Sequence, residues 1–375
     1  MGVVERVLVV GGGIAGLTLA ATLGRDGVSV ELVELQPTWV ATGAGISVQP
    51  NGLRALRTVG LDRDAVAMGG VIKRWVFADD DGQPLCEIDL DSVWGNVGPL
   101  VGITRNSLHD VLVAGARHVP CRLGTSVEAI VETADGVSVR FTDSSIGEYD
   151  LVVGAVGIRS TVRRLVFGIV EPTFAGHISW RSIAPLQLPG SPSIQFWLGD
   201  HCFFGLCSVH AGHTYGFGHV TQEQSHDPVE GRLDRLRARF ASFGSTVQDY
   251  LASLETDEQI HCSAIEWIEH SPWHTERVVL IGDAAHASSP LMGQGGSLAM
   301  EDAAVLADVL RTQPMLHDAL TAYTRRRVPR VQWVQQNSRA VAESLNAPSG
   351  QRNEALRARG EVSFRERYAP LTLPA

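Results

Sequence analysis

Lysine is nearly missing from this 375-residue sequence: Lys73 is the only one, and every other basic side chain of the Lys and Arg class is an arginine. Biased codon use accounts for that more simply than chemistry does. With a net charge of −10 and no run of basic residues, the chain lacks the electrostatic footprint of a nucleic-acid binder. Cysteine is scarce too. Cys86, Cys121, Cys202, Cys207 and Cys262 are odd in number and scattered, and none forms a C-x-x-C pair. No disulfide framework and no metal site of the zinc type is indicated, so the thiols read as small buried hydrophobes of a reducing compartment. No apolar run reaches the length of a membrane span. The first residues enter a strand without the basic start, apolar core and small-residue cleavage site of a secretory leader, so the expected location is cytoplasmic. Repeats and low-complexity linkers are missing as well. The length allows two or so domains, and these read as interleaved, not strung in series.

What is present begins with Val7-Leu8-Val9-Val10, four apolar residues that read as a strand buried on both faces. Gly11, Gly13 and Gly16 follow as G-x-G-x-x-G, with Ile14, Ala15 and an apolar helix behind them. A second strand over residues 28–33 ends at Glu34, about where a dinucleotide fold keeps its ribose-binding acid. Gly11 allows the tight turn, Gly13 lets a pyrophosphate approach bare backbone, and Gly16 lets the helix pack closely on the strand. The free N–H groups of that helix face the phosphates.

Further on, residues 42–52 combine three glycines, a proline and an asparagine and read as an irregular loop, with a helix from residue 52 or 53 to about 59. Residues 71–77 read as one strand, turned at residues 79–82 onto a partner over 85–88. A short strand over 101–104 precedes Arg105 and a helix. Residues 136–141 alternate as a half-buried strand should, and 150–154 read as a buried parallel one. From about residue 171 to 270 short alternating segments suggest an antiparallel sheet, with a surface helix over 231–243. A long helix over 320–345 has Pro329 as its expected kink.

A second nucleotide-type signal spans residues 278–302: the buried strand Val278-Val279-Leu280-Ile281, then Gly282-Asp283, Pro290, Gly293-Gln294-Gly295-Gly296, and a helix from about Ser297. Asp283 at a strand end can accept hydrogen bonds from a polyol, and Gly295 and Gly296 can turn backbone N–H groups toward an anion. Glu301 and Asp302 fit the first turn of that helix as partners of its dipole.

With these pieces in order and at this spacing, the chain resembles the single-component FAD-dependent aromatic hydroxylases, the group that includes the p-hydroxybenzoate, salicylate and FAD-dependent urate hydroxylases. The resemblance implies an α/β fold: a Rossmann-like FAD-binding domain (1–70, 99–170 and 272–345) interleaved with a smaller, mostly antiparallel β-sheet substrate domain (71–98 and 171–271), and a helical tail (346–375). It implies FAD as cofactor and NAD(P)H as a transient co-substrate. Glu34 would bind the adenosine ribose, and Gly11, Gly13, Ile14, Ala15 and Gly16 the pyrophosphate. Arg105 would lie along the ribityl and phosphate part, and Asp283 would bond the ribityl hydroxyls. Pro290 would line the flavin edge, and Gly293, Gly295 and Gly296 would bring N–H groups to the side where charge develops on reduction.

Two departures stand out. Val156 occupies the place of the family's usual aspartate, which bears on nicotinamide handling although Asp150, Gly157 and Arg159 remain. Ser297 replaces a common asparagine and is expected to cap the helix.

The implied reaction inserts one atom of O2 into an aromatic or conjugated small molecule through a flavin C4a-hydroperoxide. An oxidase or reductase without oxygen transfer is the alternative, and a non-catalytic flavin-binding module the third reading. An electrophilic oxygen wants an electron-rich ring, helped by a base or a cation that holds a phenolate. Candidates on the middle sheet are Trp180, Arg181, His201, Phe203, His210, His213 and Tyr215, of which Arg181, His210, His213 and Tyr215 are the catalytic choices. Trp180 and Phe203 read more readily as core. Urate hydroxylases place an arginine about where this chain has Phe203, which counts against urate.

Overall fold

The computed structural model describes residues 3–40, 43–190, 192–210 and 212–375. Thr42, the first residue of the segment read as a loop, lies outside them. Five parallel strands form one sheet: β1 (Arg6–Val10), β2 (Ser29–Glu34), β8 (Cys121–Leu123), β12 (Leu151–Gly154) and β18 (Val278–Leu280), ordered β18-β12-β1-β2-β8. Val7 to Val10 are buried on both faces, as a central parallel strand requires.

A seven-stranded sheet is built from β5 (Arg74–Asp79), β6 (Pro84–Asp89), β13 (Thr173–Ala184), β14 (Ser193–Leu198), β15 (Cys202–His210), β16 (His213–Thr221) and β17 (His261–Trp267). Its order is β17-β13-β16-β15-β14-β5-β6, antiparallel except for the parallel pair β14 and β5. Two smaller sheets complete the strands: β3 (Gly45–Val48), β7 (Leu100–Thr104) and β4 (Gly70–Ile72) in that order, and β11 (Ile146–Tyr149), β10 (Val137–Phe141) and β9 (Val127–Glu132).

The helices are α1 (Ile14–Arg25), α2 (Pro50–Val59), α3 (Asp62–Met68), α4 (Leu90–Trp94), α5 (Arg105–Gly115), α6 (Thr161–Phe167), α7 (Arg232–Arg239), α8 (Ser245–Ala252), α9 (Asp283–His286), α10 (Gly295–Thr312), α11 (Leu316–Leu345) and α12 (Ser349–Thr372). α7 and α8 cover one face of the seven-stranded sheet, where Phe240, Val247 and Tyr250 pack with Trp180, Phe204 and Leu206. No described helix is long and apolar enough to cross a membrane.

Three expectations need correction. Residues 45–48, within the stretch read as a loop, are strand β3, held by antiparallel pairing with β7. Pro50, not residue 52 or 53, opens α2, where its missing N–H costs nothing. The single strand expected over 71–77 is two, because β4 pairs with β7 while β5 pairs with β6 and β14. α11 continues through Pro329.

Candidate cofactor and active site

The glycine turn forms where β1 hands over to α1. Gly11 has φ +109°, and a Cβ there would lie 2.5 Å from the Ala155 carbonyl oxygen. A Cβ on Gly16 would strike the Gly11 carbonyl oxygen, so the helix approaches the turn only because that residue is glycine. Gly13 is different: nothing lies within 4 Å of where its Cβ would be. Gly13 also stands at the N-cap of α1 without any side-chain cap, and the first turn contains no acid. α10 repeats the arrangement. Its N-cap, Gln294, makes no side-chain cap bond, its first turn has no acid, and the Cβ position of Gly295 is open to 4 Å. By contrast Thr104 caps its own helix, α5, by accepting from the Ser107 N–H. Two bare helix N-termini therefore lie beside open backbone, and each has N–H groups able to take an anion.

The two converge. A Cβ on Gly296 would come within 3.5 Å of Ile14 Cδ1 and 2.7 Å of Ile46 Cδ1, and one on Gly282 would touch Ala15 and Ala299. The exposed carboxylate of Asp283 stands just after Gly282 and has no hydrogen-bond or ion-pair partner among the described residues. Glu34 is held in place by its neighbours: Oε2 accepts from the Gly12 N–H at 2.7 Å and Oε1 from the Gln36 N–H at 2.9 Å. Arg105 opens α5 beside Gly43, whose Cβ would lie 3.0 Å from its Cδ. Pro290 is exposed in a single 3-10 turn, Pro290–Met292, ahead of Gly293 with φ +61°.

Several residues here escaped the sequence reading. His109 sits one helical turn after Arg105, so both lie on one side of α5, and its Nε2 is 3.0 Å from the Gly12 carbonyl oxygen. The Trp39 ring lies 5.5 Å from that of His109 and covers Gly12, whose Cβ would meet it at 2.5 Å. The spacing from Arg105 was the available signal for His109; nothing local pointed to Trp39.

Glu301 and Asp302 are not in the first turn of α10, because that helix starts at Gly295. They are buried and paired instead. Asp302 Oδ2 accepts from the Gly282 N–H at 2.8 Å and lies 2.6 Å from His286 Nε2, while Oδ1 accepts from Arg327 Nε at 2.6 Å. Glu301 accepts from Arg327 and Arg330. Burial opposes ionisation of Asp302, but the charges of His286 and Arg327 outweigh it and hold the carboxyl below the usual carboxylate range. Ser297 does not cap the helix; it is the third helical residue, and its hydroxyl accepts from the Gln49 N–H at 3.1 Å. In the segment with Val156, Asp150 ties down the start of β1 through the N–H groups of Glu5 and Arg6, and Arg159 pairs with Glu266. Val156 itself backs onto the Gly11 turn.

Facing β3 is one side of the seven-stranded sheet. Cross-strand register puts Arg181, Phe217, Tyr215, His219, Phe203, Phe196 and Phe77 on that side. Tyr215 packs beneath Gly45, whose Cβ would collide with its ring. Burial pushes the Tyr215 phenol up, against the pull of Arg181 and Arg105, so it stays protonated and can donate. Arg181 donates to Ser263 Oγ at 3.0 Å. Trp180 is on the opposite side, bonded to Asp227 at 2.7 Å within the α7 and α8 core. His201 is exposed at a turn, and His210 and His213 are exposed where β15 gives way to β16. Thus Tyr215 and Arg181 share one wall, while His210 and His213 stand at its end.

Backbone left bare at Gly13 and Gly295 and a carboxylate without a protein partner at Asp283 are what a long polyol diphosphate ending in a planar ring needs, and these residues fit FAD. A family model described as FAD binding domain matches residues 5–338. Aurachin C monooxygenase/isomerase of Stigmatella aurantiaca is 33% identical over 328 residues, 86% of this chain and 85% of that protein. A 3-amino-4-hydroxybenzoate 2-monooxygenase of Streptomyces cremeus is 34% identical over 361 residues, 92% of this chain and 89% of that protein. Among solved structures, Klebsiella pneumoniae HpxO complexed with FAD and uric acid superposes with a TM-score of 0.88 at 27% identity, covering 97% of each chain. The chain belongs to the FAD-binding family of aromatic hydroxylases.

Proposed function

We propose that the protein is an FAD-dependent monooxygenase that takes electrons from NADH or NADPH and places one atom of O2 on a small, planar, electron-rich aromatic or conjugated molecule. The observation that carries this reading is the pairing of two uncapped helix N-termini and the unpartnered Asp283 with an aromatic wall bearing a cation. FAD, when bound, supplies the two-electron chemistry and the activation of oxygen. Glu34 would hold the adenosine ribose, the N–H groups after Gly13 the pyrophosphate, and Asp283 the ribityl hydroxyls. Gly295 and Gly296 would offer N–H groups to the charge that gathers on the reduced ring. On the substrate side Arg181 stabilises a phenolate and Tyr215 donates a hydrogen bond, both from the wall next to β3. Phe203 supplies no cation of its own, which disfavours urate.

The domain division follows the same logic. Every strand of the five-stranded sheet falls within 1–70, 99–170 and 272–345, and every strand of the seven-stranded sheet within 71–98 and 171–271.

The test is a screen of small phenols, hydroxylated heteroaromatics and polyketide-like aromatics for substrate-stimulated NAD(P)H consumption, with product analysis. Oxygenated product in step with the reductant consumed is the expected result. Stoichiometric hydrogen peroxide with every compound would replace this reading with an oxidase, the alternative to which Val156 lends weight.

A further inference from the structure

The seven-stranded sheet is sealed on one side and left open on the other. Under α7 and α8, Phe204, Leu206, Phe240, Val247 and Tyr250 are at most 1% exposed. On the side that faces β3, Leu198 and Phe203 are buried together with Leu85, but the six apolar side chains packed against them are not. Phe77, Phe196 and Phe217 of the sheet, and Leu291, Leu345 and Leu356 from outside it, each keep part of their surface open to solvent. The three rings run in series, with centroids 5.3 Å apart from Phe77 to Phe196 and 5.6 Å from Phe196 to Phe217. Gly205 holds the β15 position between Phe196 and Phe217, and a Cβ there would strike the Phe217 ring. The leucines come from the loop before Gly295, the last residue of α11 and the first half of α12. Polar bonds anchor that roof. Thr221 Oγ1 donates to Asn346 Oδ1 at 2.6 Å, and Arg352 donates to the Leu198 and Gly199 carbonyls at 3.0 and 2.6 Å. The corner between α11 and α12 is thus fixed to the sheet while the apolar seam inside it stays unsealed. A contiguous strip of large apolar groups left half-open in this way marks a binding groove.

We propose that this seam receives an alkyl or prenyl tail carried by the aromatic substrate, whose ring lies at Tyr215 and Arg181. The seam is continuous with that end of the wall: the Phe217 ring is 5.1 Å from that of Tyr215, and Phe217 stands directly across the strand pair from Arg181. Leu291, next to Pro290, places it beside the loop assigned to the flavin edge. None of the six side chains carries a hydrogen-bonding group, so a polar chain lying there loses its water without replacement, whereas methylenes gain by leaving water. The outer end has a polar rim, where Arg357, next to Leu356, lies 3.9 Å from Asp79.

This inference rests on the monooxygenase reading, and binding to the FAD-loaded protein separates the two. Titration with 4-ethylphenol, 4-butylphenol and 4-heptylphenol, which differ only in the tail, is followed by the change in visible flavin absorption. Affinity for the wild type is expected to rise about three- to fourfold per added methylene. Leu345→Trp and Leu356→Trp fill the seam, so each is expected to bind 4-ethylphenol like the wild type and to lose most of the rise. Should both variants lose their flavin, the wild type decides with 4-(2-(2-methoxyethoxy)ethyl)phenol, whose ether tail matches heptyl in length. It is expected to bind about tenfold or more weaker than 4-heptylphenol. A flat series in the wild type, binding of no alkylphenol, an undiminished rise in both tryptophan variants, or equal affinity for the ether tail overturns the proposal. If NAD(P)H consumption is then still coupled to oxygenation of a tail-less aromatic, the activity stands and only the tail site falls. A rising series with no oxygenated product from any compound keeps the tail site and removes the monooxygenase.

Discussion

Asp283 and Asp302 lie close to the same loop and do opposite kinds of work. Asp283 is exposed and without a partner among the described residues, so Asp283→Ala is expected to leave the thermal transition of the flavin-free protein unchanged. FAD affinity should fall about ten- to hundredfold, measured by flavin fluorescence titration. Asp302 is buried against Arg327 and His286 and also holds the Gly282 N–H. Asp302→Asn leaves a buried guanidinium short of its counter-charge and should cost about 3–5 kcal/mol in chemical denaturation. Because the Asp302 pKa is lowered in the folded protein, its contribution is present at neutral pH. It is lost as pH falls below about 4, the unfolded carboxylate range, toward the folded value. Stability curves of wild type and Asp302→Asn should therefore draw together on acidification. Of the five cysteines expected as buried hydrophobes only Cys207 is enclosed, with its thiol pushed up to about 12, which fits a hydrophobe and not a nucleophile; Cys121 is exposed and Cys86, Cys202 and Cys262 are half-buried.

At the scale of elements, α1 and α10 meet with uncapped N-termini, and the glycines there divide into two classes. Gly16 and Gly282 are required by the protein, since a Cβ on either meets protein atoms. Gly13 and Gly295 have open space, so the protein alone does not require glycine there. Gly295→Ala is accordingly expected to hold or slightly raise the stability of the flavin-free protein, because alanine is the better helix former. FAD affinity should drop by about tenfold or more, since the methyl group obstructs approach to the N–H groups. Gly282→Ala, at φ +60°, should lower stability with or without flavin.

This division also explains how far the sequence could be read. Gly11, Gly13 and Gly16 stood out because a tight strand-to-helix turn makes its demands within six residues, and Glu34, Asp283 and Gly295 because each ends a strand or opens a helix. β3 was not legible, since its four residues Gly-Ile-Ser-Val are short and flanked by the turn formers Gly43, Pro50, Asn51 and Gly52, and the strand is held by pairing with β7. Residues 71–77 were read as one strand because β4 and β5 follow one another with only Lys73 between them while pairing in different sheets. The wall of Phe77, Phe196, Phe203, Tyr215, Phe217 and His219 was illegible for a related reason. It draws on four strands, and only the register brings those residues to one side.

Across the whole molecule the C-terminal helix α12 closes the far end of this wall. Phe364 and Tyr368 pack on Trp75, which stacks on Phe196 at 5.2 Å, and Tyr368 also meets Trp94. The Tyr368 hydroxyl donates to the Met292 carbonyl at 3.0 Å, a buried link from the last helix to the loop that precedes Gly295. Arg330 secures the end of α12 through the Pro370 and Leu371 carbonyls while also bonding Glu301 of α10. Tyr368→Phe removes the link to Met292 and should cost about 1 kcal/mol of stability in chemical denaturation. The loosened loop should also alter the visible spectrum of bound flavin, whereas Phe364→Leu, which leaves the hydroxyl in place, should not.

The order β18-β12-β1-β2-β8 has a consequence for how the chain is made. β1 emerges from the ribosome first, but one of its neighbours is β12 and the neighbour of β12 is β18. Well over half the chain must be synthesised before the sheet has all its strands, and until then β12 offers a bare hydrogen-bonding edge to any passing polypeptide. Nascent chains stalled before residue 278 should be held by chaperones or aggregate, while those released after α10 has emerged should be able to complete the sheet.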